Sequence, residues 1–205
     1  MVHKHRGPEG TVKKAAVWKL IPLACVVLLV FCGEAEAGRD WALSLYWAQL
    51  THGTLEETVT FQTGLTDSEL VCGALSRRIG SFKEYMDFEL EGQVAKHFRD
   101  QDHWEFNGLA VVRWLPFPWD QVINTSVAVG EGLSYATETP EAEAKRYDKT
   151  SKLLDYLMFE VAFSLPSLPE WSLITRIHHR SGAYGLFNGV HGASNAWGVG
   201  LRYTF

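Results

Sequence analysis

Cysteine is scarce: the 205 residues hold three, too few for a disulfide framework. Two of them, Cys25 and Cys32, fall in an apolar segment near the start, so Cys72 stands alone in the rest of the chain and excludes an internal disulfide there. No apolar run is long enough for a spanning helix, which needs about 18 residues; LIPLACVVLLVF, from Leu20, holds about a dozen. There is no CxxC pair, no glycine-rich phosphate loop with its lysine, no internal repeat and no low-complexity stretch. Basic residues are outnumbered, 19 against 24 acidic, which points away from a nucleic-acid partner. His103, His178, His179 and His191 are scattered without i, i+4 spacing, so the spacing points to no metal site and no cofactor.

Both ends of the chain are informative. Lys13, Lys14 and Lys19 precede the apolar run, and Ala35-Glu36-Ala37 fits a small-x-small cleavage site. This predicts an export signal over 1–37, removed near Ala37, and one domain over 38–205. Bulky Phe31 before Cys32 disfavours a lipoprotein. At the other end, WGVGLRYTF alternates strictly: Trp197, Val199, Leu201, Tyr203 and Phe205 share one face, with Gly198, Gly200, Arg202 and Thr204 on the other. An aromatic-rich strand closing on phenylalanine resembles the last strand of bacterial outer-membrane barrels.

The same alternation recurs upstream. Met86, Phe88, Leu90 and Val94 oppose Asp87, Glu89, Glu91, Gln93 and His97; Leu157, Phe159, Val161 and Phe163 oppose Tyr156, Glu160 and Ser164. Charges on the inner face of so many strands would be costly in a small soluble core, but a polar interior is the rule in a membrane barrel. Strands are predicted near 39–49, 69–79, 84–98, 103–115, 120–136, 150–165, 170–182 and 193–205, with TVTFQTG at 58–64 competing for the second. Proline-rich PFPWD and PSLPE and the short GSFK make periplasmic turns; the region 50–68 and TETPEAEAKRYDKT make long outer loops, and RDQD a short one. The fold class is therefore an eight-stranded antiparallel transmembrane β-barrel of the bacterial outer membrane.

On the seventh strand, Leu173, Thr175, Ile177, His179 and Ser181 form the outward set, and Ser172, Ile174, Arg176, His178 and Arg180 the inward one. His179 and Ser181 thus share a face at the outer end, where outer-leaflet lipids present their ester bonds. They read either as a nucleophile beside its base or as an interfacial polar strand end.

RIHHRSG, from Arg176, resembles the R-x-x-H-x-S-N motif on the penultimate strand of the lipid A 3-O-deacylases, the PagL family of eight-stranded outer-membrane barrels. Arg176, His179 and Ser181 match. The resemblance covers about thirty C-terminal residues together with barrel size and topology. It implies an esterase that removes the acyl chain at position 3 of lipid A, with Ser181 as nucleophile, His179 as base and Arg176 in support. Two positions depart from the pattern. Gly182 replaces an asparagine that helps hold the oxyanion, leaving that task to a backbone N–H; Ala193 stands where the family has its glutamate, and no Asp or Glu follows Glu170. If the PSLP turn pairs residues summing to about 336, Asp155 lies opposite Ser181 and becomes the candidate orienting acid. Asn195 is a neutral alternative, and Glu131 shares an apolar face one strand too far away. The alternative function is a catalytically inactive structural or lipid-binding barrel. The expected partners are outer-leaflet lipid A or lipopolysaccharide and, through the closing strand, the barrel assembly machinery.

Overall fold

A computed structural model describes residues 39–205; the expected signal lies outside the described residues. Eight antiparallel strands close into a barrel. They are β1 (Trp41–Thr51), β2 (Leu65–Phe82), β3 (Met86–Phe98), β4 (Trp104–Trp114), β5 (Asn124–Ala136), β6 (Leu153–Leu165), β7 (Leu168–Ser181) and β8 (Ala193–Thr204). Every neighbour in sequence is a neighbour in space, and β8 returns to β1. Phe205 completes the seam: its N–H donates to Trp41 O at 2.8 Å and its carbonyl accepts the Trp41 N–H at 3.0 Å. The sheet is strongly sheared. From Leu50, partners run through Ala196, His178, Met158, Gly130, Val111 and Glu89 to Arg78, whose N–H bonds Asp40 O at the opposite end of β1.

The strand positions agree with the sequence pattern, with three corrections. β2 begins at Leu65 and runs on to Phe82 over a bulge between Arg78 and Gly80. The segment from 58 is not a strand: α1 (Leu55–Val59) runs into it, held by a capping box in which Thr54 and Glu57 each bond the other's backbone N–H. β5 begins at Asn124 because Asp120 accepts the Phe117 and Thr125 N–H groups and folds the preceding residues into a turn.

The wall presents apolar side chains outward all round, among them Trp47, Leu75, Phe88, Phe106, Val129 and Leu201. Such a belt would aggregate in water and suits hydrocarbon. The interior is charged and closely paired. Arg113 meets Glu89 at 2.7 Å and Glu160 at 2.8 Å; Arg176 meets Glu91 at 2.7 Å and also Glu160; Arg202 meets Glu89 at 3.1 Å. These three cations balance three carboxylates, as burial requires. Nearer the outer mouth, Glu105 takes His97 and His178, and Arg180 holds Glu143 of α2 (Glu141–Arg146) at 2.6 Å, fixing the third outer loop to the wall.

Candidate active site

β7 brings the predicted residues to the outer mouth by simple alternation. Arg176, His178 and Arg180 point inward; His179 and Ser181 belong to the outward set, and Ser181 ends the strand. The β6–β7 register is the one expected from the turn: Asp155 pairs with Ser181 and Leu157 with His179. On the other side, Asn195 pairs with His179 and Ala193 with Ser181.

His179 is not open to the surroundings as an outward strand residue would be; it is buried, at 8 % exposure. The first outer loop folds against this face of the barrel. Phe61 meets Trp197 edge-on at 5.8 Å, and Gly53 O accepts from Asn195 Nδ2 at 3.0 Å. That second bond fixes which way the Asn195 amide points. Its Oδ1 faces His179 Nδ1 at 2.5 Å. A carbonyl oxygen only accepts, so Nδ1 carries the proton and Nε2 keeps its lone pair. This is the tautomer a general base needs.

Ser181 is half-buried, and its Oγ accepts the Ala183 N–H at 3.3 Å. Among the described residues no hydrogen bond joins Ser181 to His179. Catalytic hydrogen bonds are often long before substrate arrives, so the pair stands at one face without being assembled. The turn after Ser181 is tight. Ala183 and Tyr184 both have positive φ, at 44° and 55°, a strained state for residues other than glycine.

Three expected roles change. The Gly182 N–H donates to Gly192 O at 3.1 Å and is not free for an oxyanion; the donor beside Ser181 Oγ is the Ala183 N–H. Gly182 itself is dictated by packing, since a Cβ there would lie 1.9 Å from Val190 O, so the asparagine of the resembling motif does not fit. Asp155 stands opposite Ser181 as expected, and its charge reaches both Glu131 and His179, but among the described residues no hydrogen bond joins it to His179, whose bonded partner is Asn195. Arg176 is 1 % exposed, bound to Glu91 and Glu160 inside the barrel, and belongs to the core rather than to this site.

Sequence reasoning missed Gly53, whose carbonyl locks the Asn195 amide; no local signal links it to a strand more than a hundred residues away. Glu131, on β5, stands one strand beyond the β6 neighbour of His179, as expected. Its diagonal across the β5–β6 pairing brings it to Asp155.

No protein-family model and no curated protein sequence matches the chain. Solved structures do match in fold. The outer membrane enzyme PagL superposes with a TM-score of 0.56 at 12 % identity, covering 80 % of this chain and 99 % of that one. Neisserial surface protein A gives 0.50 at 14 % identity, covering 84 % and 100 %. Ail, the attachment invasion locus protein of Yersinia pestis, gives 0.41 at 11 % identity over 81 % and 98 %. The chain has the eight-stranded outer-membrane barrel fold that these proteins share.

Proposed function

We propose that this chain is an outer-membrane esterase that removes an ester-linked acyl chain from lipid A, or a related glycolipid, of the outer leaflet. The observation that carries this reading is the Gly53–Asn195–His179 relay, which leaves Nε2 of a buried imidazole as an acceptor on the same face as Ser181. An interfacial polar patch has no need of a fixed tautomer. The fold is shared with an outer membrane enzyme, PagL, and that likeness is of fold alone.

In this scheme His179 Nε2 takes the Ser181 proton as Oγ attacks the ester carbonyl carbon. The Ala183 N–H faces the developing oxyanion. Collapse of the tetrahedral intermediate breaks the bond to the sugar oxygen, which receives the proton from His179. Water, deprotonated by the same nitrogen, then attacks the acyl-serine, and the fatty acid leaves as His179 returns the proton to Ser181 Oγ. Asn195 orients the imidazole and offers only a dipole to the imidazolium, where a carboxylate would offer a charge. The surroundings suit a lipid. Tyr184 and Leu186 project almost fully into the surroundings next to Ser181, and Lys149 and Lys152 of the third outer loop stand exposed on the same rim to meet phosphates.

The test is mass spectrometry of lipid A incubated with the purified barrel in detergent. Loss of one 3-hydroxy fatty acid, abolished by Ser181→Ala, is the expected result. A second reading is an inactive barrel that binds lipid, favoured by the absence of a Ser181–His179 hydrogen bond and of an acid on β8. Unchanged lipid A across hexa- and penta-acylated substrates would select that reading.

A further inference from the structure

Beneath the outer mouth, inside the barrel, four side chains that the esterase scheme does not use converge. His97 lies next to the end of β3, His103 immediately precedes β4, Glu105 is the second residue of β4, and His178 comes from β7; all are at most 5 % exposed. Glu105 is the hub. One carboxylate oxygen lies 3.0 Å from His97 Nε2 and the other 2.9 Å from His178 Nε2. His178 is braced in turn by the Tyr46 and Tyr156 hydroxyls, each 3.0 Å from its Nδ1.

The cluster is incompletely satisfied. His97 Nδ1, His103 Nε2 and both amide atoms of Gln101 are buried without a hydrogen-bond partner. Orphaned buried groups are rare in a folded protein and need a reason. Here they border a cavity of about 10 Å³, the room one water or one ion takes. One donor atom from each of His97, His103 and Glu105 falls within 4.8 Å of the others.

We propose that His97, His103 and Glu105 form a transition-metal site of the zinc class, with His178 as the outer partner that holds the Glu105 carboxylate in place. Two imidazoles and a carboxylate are a borderline-soft donor set that selects zinc, nickel or copper over magnesium or calcium. The histidine and tyrosine contacts behind Glu105 are the supporting hydrogen bonds such ligands carry. The rings of His97 and His103 lie face to face, 4.1 Å apart and 16° from parallel, so their in-plane lone pairs do not yet meet. Coordination turns His103 out of that stack. It stands in the short outer loop rather than in a strand, where such a turn is least costly. The bound ion would clamp the β3–β4 hairpin on itself and, through His178, to β7. The same cavity is lined by Asn195, so the clamp sits directly behind the residue that orients His179. The spacing His-x5-His-x-Glu spans a hairpin turn, which is why neither helical nor CxxC-type spacing announces it.

The test uses the refolded, untagged barrel in detergent, stripped with chelator and titrated with zinc, nickel and, separately, calcium. One equivalent of zinc should bind, calcium should not, and the heat-modification midpoint should rise with zinc. His103→Gln and His97→Gln should each weaken zinc binding by roughly tenfold or more, while His191→Gln, at an exposed histidine, should not. Cobalt substitution should give visible bands of low-symmetry coordination. Should a variant fail to fold, the wild type still decides. Zinc should slow carbethoxylation of His97 and His103, read by peptide mapping, and leave His52 and His191 unaffected. No zinc binding, binding that survives both glutamine variants, or protection confined to the exposed histidines overturns the site and leaves an ordered water as the cavity's occupant.

Discussion

His178 and His179 are adjacent in sequence and face opposite sides of one strand. His178 has both ring nitrogens engaged, Nε2 by Glu105 and Nδ1 by two tyrosine hydroxyls. His179 has one nitrogen engaged by a single neutral amide, and its other lone pair is uncommitted. The contrast extends along β7. Inward, Arg176 and Arg180 are each tied to carboxylates within 3 Å; outward, Ser181 holds one long bond to a backbone N–H. The low dielectric inside makes every unpaired charge expensive, so the inward arginines of this strand are held in ion pairs. The outward end of the strand escapes that pressure. Polar groups with capacity left over are those that can act on something else.

The largest effect that would break this contrast comes from the two histidines themselves. On the esterase reading, His179→Ala should lower deacylation by at least about a thousandfold, because a nucleophile and its base act as a unit. Its unfolding midpoint should fall less than that of His178→Ala, because only the Asn195 amide loses a partner. His178→Ala should do the reverse: it strips Glu105 of a partner and the tyrosines of theirs, costing roughly 2–4 kcal/mol of stability while residual folded protein stays active. Equal activity losses per folded molecule in the two variants would erase the distinction.

The interior predicts the next effect. Arg176→Met leaves Glu91 and Glu160 buried with a cation removed, a loss of about 3–5 kcal/mol. Urea-dependent refolding into lipid vesicles, read by the heat-dependent gel shift, should show a lowered midpoint. Because Arg176 belongs to the core, the folded remainder should keep its specific activity. A selective activity loss with normal stability would return Arg176 to the active site, where the motif had put it.

A smaller effect belongs to pH. Burial, reinforced by the facing His97 ring and opposed by Glu105, brings His103 down to about 4 in the folded barrel. The unfolded chain binds the same proton near 6.5. Protons therefore favour the unfolded chain between these values: this contribution is full above about pH 6.5 and is lost as pH falls toward 4. In chelator, the midpoint should drop over that window by roughly 1–3 kcal/mol, and His103→Gln should flatten the slope. A midpoint independent of pH in the wild type would mean that His103 is not buried as a neutral group.

Much of this was legible in the chain. Period-2 alternation with charges on the inner set of β3 and β6 identified a barrel, and proline-rich PFPWD and PSLPE marked two turns at the end where Phe205 closes the seam. Alternation even separated His178 from His179. What stayed hidden depends on contacts that no period encodes. TVTFQTG has strand-forming residues, but Thr54 and Glu57 cap a helix just before it. Asp155 and Asn195 were both within reach of His179, and only the tie between Asn195 and Gly53, across a loop, decides for the amide. The inner balance of Glu89, Glu91 and Glu160 against three arginines draws on five strands, and no single strand announces it.

Asp155 supplies the smallest and most discriminating test. Its register opposite Ser181 makes it the obvious acid for a chain that has none on β8. If it oriented His179, Asp155→Asn would favour the wrong imidazole tautomer and cost orders of magnitude, as the loss of a triad aspartate does. In the structure, however, Nδ1 of His179 is already taken by Asn195, and Asp155 faces Glu131. Its remaining influence on a developing imidazolium is then a charge near a solvated interface, where screening leaves about 1 kcal/mol or less. Asp155→Asn should therefore reduce deacylation by less than about tenfold, and the loss should shrink further in high salt. Asn195→Leu, which removes the acceptor itself, should cost far more in kcat than in KM and be indifferent to salt. A salt-independent collapse of activity in Asp155→Asn, with Asn195→Leu nearly silent, would invert the assignment and make the β6 acid the orienting group.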